Sequence, residues 1–395
     1  MSILTPEQHG AKAHSDGGWD AANQHGVPVQ TRSERFTSND PAAHPAVTGR
    51  ELVWKLTPVD LVRPLIDGEL DGSPYAFLGA ETGGAHTDWI ERTDPRIGSV
   101  GAAEDKASAN AWNSFEMALG ITIAGDEPAE VTVTRSTLGA SARSAHTIIH
   151  AQKNSRGHVV LQNNGPANLV ENVEIIVDDD AHLTVVTVQE WDGDAIHLSN
   201  HFARVGRNAF LKHIVVSVGG KVVRVNPSIT LAGEGSDTEA YGLYFADAGQ
   251  HLEQQVYMHH EGAKTRGRVN YKGALQGDGA HTVWIGDVLI GRDAAATDSY
   301  EQNRNLVLTE GTRADSVPNL EIETGDILGA GHASATGRFD DEQLFYLQAR
   351  GISEEEARRL VVLGFLSEIV QKIGQEKLEN HLHAAIEREL SVGAI

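Results

Sequence analysis

Cysteine is absent from this sequence of 395 residues. Without a thiol, the chain has no disulfide, thiolate metal ligand, redox CxxC motif or cysteine nucleophile of its own. Positive charge is also scarce, because 32 Lys and Arg residues stand against 55 Asp and Glu residues and leave a formal net charge of −23. Nucleic acids and anionic membranes are bound largely through Lys and Arg, so this composition argues against both as partners.

Targeting and nucleotide-binding signals are missing as well. The first residues lack the basic and apolar regions of a secretory signal. The most apolar stretch, 360–370, contains Glu368 and has about half the length that a membrane helix needs. No P-loop, GxGxxG, GxSxG or HExxH motif occurs. We therefore expect a soluble, cytoplasmic protein without these nucleotide-binding or hydrolytic sites.

The sequence divides into three zones of different composition. Residues 1–120 are irregular with short helical patterns, of which 102–119 is predicted to be a helix, and about 1–30 are expected to be mobile because they lack apolar periodicity. Residues 121–335 consist of short β-branched runs separated by Gly, Asp or Asn, which is typical of strands and turns. Residues 336–395 are helical in pattern. This order predicts a mainly β core between an N-terminal helical or irregular region and a C-terminal helical domain.

The turns of the middle zone recur at a nearly fixed interval. Ala209 to Ser236 is 27 residues and Ser236 to Ala263 is again 27, whereas the next intervals are 17 residues to Ala280 and 32 to Thr312. A repeat of this length is typical of a coiling architecture in which each turn packs only on its neighbours. A β-helix fits this pattern best. An antiparallel sandwich with coincidental spacing is the alternative.

Helical signals are clear in the last zone. Ser353 followed by Glu356 is a capping box, in which the hydroxyl and the carboxylate each accept a hydrogen bond from a free backbone N–H. Apolar residues then recur every four positions and predict one face that docks on the core. That face consists of Val361, Phe365, Ile369 and Ile373. The three predicted helices are 340–350, 353–373 and 375–390.

His332 differs in setting from most of the 19 histidines. It lies in a run of small residues, 328–337, where the strand zone meets the helical zone. Small neighbours leave an imidazole accessible, and a neutral imidazole is a competent ligand for iron, copper or zinc. The alternative is that His332 is only a spacer in a glycine-rich corner.

The motif around His332 resembles the SufB/SufD family of iron–sulfur cluster assembly proteins. Gly331-His-Ala-Ser-Ala-Thr336 is followed by the run 341–351, and both match the family. Upstream, Asn303-Arg-Asn-Leu-Val-Leu308 and the run 316–322 follow in register. The likeness is strong over 295–370, and it is closest to the SufD-like members.

The resemblance implies a fold, partners and a cargo. A SufD-like chain has a right-handed parallel β-helix core, pairs with a SufB-like subunit and docks a SufC-like ATPase through its C-terminal helices. It is a scaffold and not an enzyme, and it shares a transient iron–sulfur cluster with its partner, with the histidine that aligns with His332 as a ligand. Phe345, Leu360 and Phe365 are the candidates for ATPase docking, and packing within the helical domain is the alternative for each.

Two departures from the family pattern concern thiolates. Positions that carry cysteine in SufB-type chains are Asn303 and Thr312 here, and Ala330 stands where many SufD relatives have a cysteine. Iron–sulfur clusters are held chiefly by thiolates, so this chain alone is expected to hold a cluster poorly. Whether the isolated chain pairs with itself to form a homodimer is left open.

A second function is compatible with a β-helix. Enzymes that act on acidic polysaccharides use this fold with clustered carboxylates or a calcium-bound groove. Asp178-Asp179-Asp180 is the acidic cluster that would serve such a role, and a solvated turn is its simpler interpretation.

Overall fold

The computed structural model describes residues 35–338 and 341–392, so the segment expected to be mobile lies outside the described residues. The helices are α1 (Val59–Asp67), α2 (Lys106–Ser114), α3 (Asp341–Gln348), α4 (Glu354–Val370) and α5 (Glu376–Val392). The strands are β1 (Leu78–Thr82), β2 (Ala85–Glu91), β3 (Met117–Ile123), β4 (Ala129–Arg135), β5 (Gly139–Ala151), β6 (Arg156–Gly165), β7 (Ala167–Val177), β8 (His182–Trp191), β9 (Ile196–Val205), β10 (Phe210–Ser217), β11 (Val222–Leu231), β12 (Asp237–Ala246), β13 (His251–His260), β14 (Arg266–Leu275), β15 (His281–Ile290), β16 (Thr297–Val307), β17 (Arg313–Ile322) and β18 (Ile327–Arg338).

The chain visits two nine-stranded sheets alternately. One sheet has the order β1-β4-β6-β8-β10-β12-β14-β16-β18, and the other has the order β17-β15-β13-β11-β9-β7-β5-β3-β2. The registered pairs are parallel except for the two that β1 and β2 make with β4 and β3. The core is therefore a parallel β-solenoid of about eight turns. This confirms the predicted fold class, and the antiparallel sandwich was wrong.

Each turn of the solenoid passes two corners, which explains the uneven spacing of the polar turns. At one corner, the N–H groups of Asn208, Gly235 and Lys264 each donate to a carbonyl of the next turn, and all three residues have positive φ. Gly279 lies at the other corner, where its N–H donates to Gly311. The 17-residue interval thus joins two different corners. Neighbouring strands of one sheet are offset by 26 residues between β6 and β8 and by 32 between β14 and β16.

Side chains alternate along each strand between the interior and an outer layer. In β8, Leu183 and Val185 belong to the interior core, whereas Val186 and Val188 belong to a cluster on the outer face. Both faces of the strand are buried, because helices or loops cover the outside of the solenoid. This explains why the run 183–188 is apolar on both faces rather than strictly alternating.

The N-terminal region covers the outer face of the sheet that contains β7, β9 and β11. Trp54 and Leu65 pack there against Val170, Leu198 and Val222. Since the region is anchored by this burial, it forms one layer of the molecule rather than a separate unit.

The helix predicted over 102–119 is shorter than expected. Asp105 caps α2 by accepting a hydrogen bond from the backbone N–H of Ser108, and the helix ends at Ser114. The prediction was wrong beyond this point, because residues 117–123 form β3 and place Leu119 and Ile121 in the solenoid core.

The C-terminal helices cover the outer face of the sheet that contains β8, β10 and β12. Val362 and Leu366 of α4 and Leu382 of α5 pack against strand residues such as Val186 and Leu243. The three helices lie close to their predicted ranges. Among the described residues, no helix combines the length and the apolar character needed to cross a membrane.

The start of α4 forms only half of the predicted capping box. The Ser353 hydroxyl accepts a hydrogen bond from the N–H of Glu356 at 3.3 Å. The Glu356 carboxylate instead accepts from the Arg359 guanidinium at 2.8 Å. The Glu356–Arg359 ion pair therefore takes the place of the predicted hydrogen bond from the Ser353 N–H to the Glu356 carboxylate.

The buried face of α4 is rotated from the predicted one. Val361 and Phe365 are only partly buried, and Val362 and Leu366 are buried in their place. A four-residue spacing advances about 40° beyond a full helical turn, so a strict i, i+4 row drifts off the contact face over three steps. The residues of α4 and its C-terminal turn that are buried are Ala357, Val362, Leu366, Ile369, Val370 and Ile373.

The two ends of the solenoid differ. At the N-terminal end, β1 and β2 are the edge strands, and they pair antiparallel with β4 and β3. At the other end, β17 and β18 each pair with a single strand among the described residues. These two strands are mostly half-exposed or exposed, whereas β15 is almost fully buried and β16 alternates between buried and more exposed residues. The last turn is therefore open.

Candidate functional site

His332 lies on β18, in the open last turn of the solenoid. Its registered partner is Glu301 on β16, so the two side chains stack on the same side of the sheet. The His332 side chain is 44% exposed, whereas that of Glu301 is fully buried. The distance from His332 Nδ1 to Glu301 Oε1 is 3.7 Å, which is too long for a hydrogen bond. The imidazole is accessible, as its small neighbours predicted.

Glu301 is the residue of this site that the sequence analysis missed. The backbone of Asn319 approaches its carboxylate, yet neither oxygen makes a well-formed hydrogen bond. A Cβ at Gly286 would clash with the carboxylate, so glycine is needed on the facing strand. Burial, followed by the charge of Asp287, raises the pKa of Glu301 to about 8. A buried acid directly behind an exposed imidazole is therefore the main electrostatic feature of the open end.

A line of polar side chains continues along the same strands. The Asn303 amide donates to the Tyr244 hydroxyl at 2.7 Å, and the Ser316 hydroxyl donates to Asn303 Oδ1 at 2.8 Å. The Ser334 hydroxyl then donates to Ser316 at 2.7 Å, which carries the line onto β18. Asn303 is thus a buried hydrogen-bonding residue.

The sequence alone does not mark this polar interior, because Asp298, Gln302 and Arg304, which lie between its members, are polar as well. Every second residue of β16 is polar and buried, which is the period of one face of a strand. These residues are Thr297, Ser299, Glu301, Asn303 and Asn305.

The chemistry available at the open end is that of one nitrogen donor. His332 offers an imidazole nitrogen, and the chain has no cysteine to add a thiolate. Within the part of the chain that the structure describes, no three His, Asp or Glu side chains are arranged to hold a metal ion. A metal or cluster bound at His332 would therefore take its remaining ligands from outside this chain.

The three residues predicted to dock a partner lie in different environments. Phe345 on α3 is 72% exposed, and Leu360 on α4 is also exposed. Phe365 is half-buried, with the Lys272 ammonium 4.6 Å from its ring centroid. Lys272 of β14 also donates to the Phe365 carbonyl and to the Glu368 carboxylate, which attaches α4 to the solenoid. The docking roles of all three residues stay predictions.

The acidic run 178–180 forms a solenoid corner. Asp178 accepts a hydrogen bond from His150, and Asp179 accepts two from Arg207 of the next turn. Asp180 has positive φ, as the equivalent residues of the neighbouring turns do. Contacts between turns account for this cluster, as its interpretation as a turn predicts.

Comparison with known proteins identifies the family. Residues 133–365 match the family model described as the SufBD core domain of the SUF system for FeS cluster assembly. An iron–sulfur cluster assembly SufBD family protein of Mycobacterium bovis is 47% identical over 375 residues, covering 92% of this chain and 94% of that protein. One of Mycobacterium leprae is 46% identical over 368 residues, covering 90% and 94%. One of Staphylococcus saprophyticus is 31% identical over 222 residues, covering 56% and 47%. The chain therefore belongs to the SufBD family of iron–sulfur cluster assembly proteins.

Proposed function

We propose that this chain is a SufD-like scaffold subunit of an ATP-driven iron–sulfur cluster assembly complex. It pairs with a SufB-like subunit through the open end of its solenoid, and a SufC-like ATPase docks on its C-terminal helices. The chain catalyses no reaction itself. The observation that carries the proposal is the exposed imidazole of His332 in a last turn whose strands are free to pair.

The exposed edges support pairing at this end. A strand at the edge of a sheet presents free N–H and C=O groups that can extend the sheet into another chain. Apolar side chains are exposed on the same two strands, and Leu328 is 78% exposed. Val317 and Ile322 are the others. An exposed apolar surface beside free strand edges is typical of a site that binds another protein.

The open end supports a shared cluster as the cargo of the complex. Iron in such clusters is bound mainly by thiolates, which this chain lacks, and His332 can supply one nitrogen. A SufB-like partner at the open end would place its thiolates opposite the imidazole. The nascent cluster is then held between two chains and is released when their interface opens. ATP-driven closure of the ATPase subunits would supply that motion through the helices.

The C-terminal helices support ATPase docking because they leave aromatic surface exposed. Phe345 and Leu360 are exposed, whereas Val362 and Leu366 pack on the solenoid. We expect Phe345→Ala and Leu360→Ala to weaken binding of the SufC-like ATPase at least tenfold, measured by titration calorimetry, while melting temperatures stay near that of the wild type. Leu61→Ala, on the exposed face of α1, is the control and should bind normally. Equal affinity for all four proteins would contradict the docking proposal.

Co-purification tests the proposal as a whole. The chain is co-expressed with a SufB-like and a SufC-like subunit from one organism, and the complex is isolated through a tag on the SufB-like subunit. We expect a stoichiometric complex of all three. Recovery of a SufB–SufC complex without this chain would overturn the proposal.

A further inference from the structure

A pair of histidines lies away from His332, on the outer face of the other sheet. His251 begins β13 and His281 begins β15, and the two residues are registered partners. Their side chains are 7% and 20% exposed. His251 lies on the same face as Glu253, which accepts a hydrogen bond from Thr57 of the N-terminal layer. The pair therefore sits where the N-terminal layer meets the last turns of the solenoid.

The same ring nitrogen, Nδ1, faces the partner ring in both histidines. His251 Nδ1 lies 3.1 Å from His281 Nδ1. The other nitrogen of each ring contacts a carboxylate: His251 Nε2 is 2.9 Å from Glu253, and His281 Nε2 is 2.7 Å from Asp315. The arrangement is symmetric, with a carboxylate at each outer nitrogen and the two inner nitrogens together.

The carboxylates determine which nitrogen of each ring carries the proton. Glu253 forms an ion pair with Arg224 at 3.1 Å, and Asp315 forms one with Arg313 at 2.8 Å. Ionised carboxylates only accept hydrogen bonds, so the Nε2 atom of each histidine is the donor. In a neutral imidazole the remaining nitrogen then carries the lone pair. The two Nδ1 lone pairs thus point into one small space, and a positive species between them would remove their repulsion.

A metal ion fits the measured separation. Metal–nitrogen bonds of about 2.0–2.1 Å place two ligands of one ion roughly 2.9–3.4 Å apart for bond angles between 90° and 110°. The observed distance of 3.1 Å lies in this range. Histidines that bind metals commonly donate their other N–H to a carboxylate, which orients the ring and increases its basicity. Both histidines of this pair have that support.

We propose that His251 and His281 form a binding site for one divalent transition-metal ion, with the two Nδ1 atoms as ligands and water completing the coordination. Imidazole nitrogen suits zinc, copper, nickel and iron. The residues of the described ranges offer no arranged group of three His, Asp or Glu ligands, which is why water is needed. The site is distinct from His332, which lies on the other sheet.

Binding of an ion would connect three parts of the molecule. The two ligands join adjacent turns of the solenoid, Asp315 extends the connection to the edge strand β17, and Glu253 extends it to Thr57. We therefore expect the ion to stabilise the last turns of the solenoid against unfolding.

Zinc titration tests the proposal on the full-length chain without an affinity tag. After dialysis against EDTA and then against metal-free buffer, Zn²⁺ is added at pH 7.5 and followed by calorimetry and by melting temperature. We expect the wild type to bind one equivalent that His251→Ala and His281→Gln bind at least tenfold more weakly. Zn²⁺ should raise the melting temperature of the wild type and leave that of both variants unchanged.

His259→Ala is the matched control. His259 is also on β13 and half-buried on the outer face, but its neighbour is Glu261 rather than a second histidine. This variant should bind zinc like the wild type. Circular dichroism of each variant without metal checks the fold, and His281→Gln keeps a donor for Asp315. Equal binding by the wild type and the two site variants, or no stoichiometric binding by the wild type, would overturn the proposal and leave a shared proton between the rings.

Discussion

At the scale of single residues, the open end of the solenoid depends on one buried acid and one exposed base. His332 was predictable, because its small neighbours along the sequence leave the imidazole accessible. Glu301 was not predictable in the same way, since its burial depends on Gly286 in the facing sheet. A sequence pattern reports neighbours along the strand, whereas the environment of an interior side chain is set by another strand of the same turn.

The raised pKa of Glu301 makes stability depend on pH. Its folded-state pKa of about 8 lies above the ordinary value of 4.5, so between these values the folded chain holds a proton that the unfolded chain releases. The stabilisation is complete below pH 4.5 and is lost as the pH rises through 8. We expect Glu301→Gln, which stays neutral, to be more stable relative to the wild type at pH 9 than at pH 5. Between the two pKa values, the unfolding free energies of the two proteins should diverge by at most about 1.4 kcal/mol for each pH unit.

Urea unfolding of the isolated chain at pH 5, 7 and 9 measures this difference. Glu310→Gln is the control, because Glu310 is exposed beyond β16 and its substitution should follow the wild-type profile. Parallel pH profiles for the wild type and Glu301→Gln would contradict the assignment of a buried, protonated carboxyl.

His332→Ala should separate folding from cluster assembly. The His332 side chain is 44% exposed and approaches Glu301 only to 3.7 Å, so its loss should change the unfolding free energy by about 0.5 kcal/mol or less. In the assembled complex, the variant should lower the rate of cluster formation, measured by the visible absorbance of the cluster. His86→Ala, which replaces an exposed histidine on β2 at the N-terminal end, should leave that rate unchanged. A normal rate with His332→Ala would make His332 a spacer.

At the scale of helices and strands, the sequence predicted most elements but placed some of their boundaries incorrectly. The β-branched runs lie within strands or end one residue beyond them, and most of these strands bury apolar side chains on both faces. The helix over 102–119 was too long, since alanine and glutamate favour a helix locally while the strand pairing of 117–123 decides the outcome. The buried face of α4 was displaced for the geometric reason that four residues exceed one helical turn.

The edge strand β18 should tolerate a charge only while it is unpaired. Leu328 is 78% exposed in the described chain, so Leu328→Glu should leave the melting temperature of the isolated chain nearly unchanged. If β18 meets a SufB-like subunit, the buried carboxylate would weaken that contact at least tenfold. Leu78→Glu, at an exposed position of β1, is the control and should pair normally. Sedimentation of mixtures with the SufB-like subunit measures both, and unimpaired pairing by Leu328→Glu would place the interface elsewhere.

At the scale of the whole molecule, the solenoid ends in antiparallel edge strands on one side and in parallel edge strands on the other. The hairpin of β1 and β2 reverses the strand direction at the N-terminal end, whereas β17 and β18 continue the parallel order of the turns. The 27-residue interval predicted the coil, since it equals the offset between Phe210 and Asp237 on neighbouring strands. It could not predict how exposed the strands at either end are, because edge exposure follows from the arrangement of the terminal strands and not from the repeat itself.

In the proposed complex, the open end of the solenoid is the surface that pairs with the SufB-like subunit. Hydrogen exchange of the chain, alone and with a SufB-like subunit, tests it most directly by reporting which backbone amides become protected. We predict slower exchange in β17 (Arg313–Ile322) and β18 (Ile327–Arg338) on binding and no change in β1 and β2. Protection of the β1–β2 hairpin with no change in the last two strands would contradict the claim.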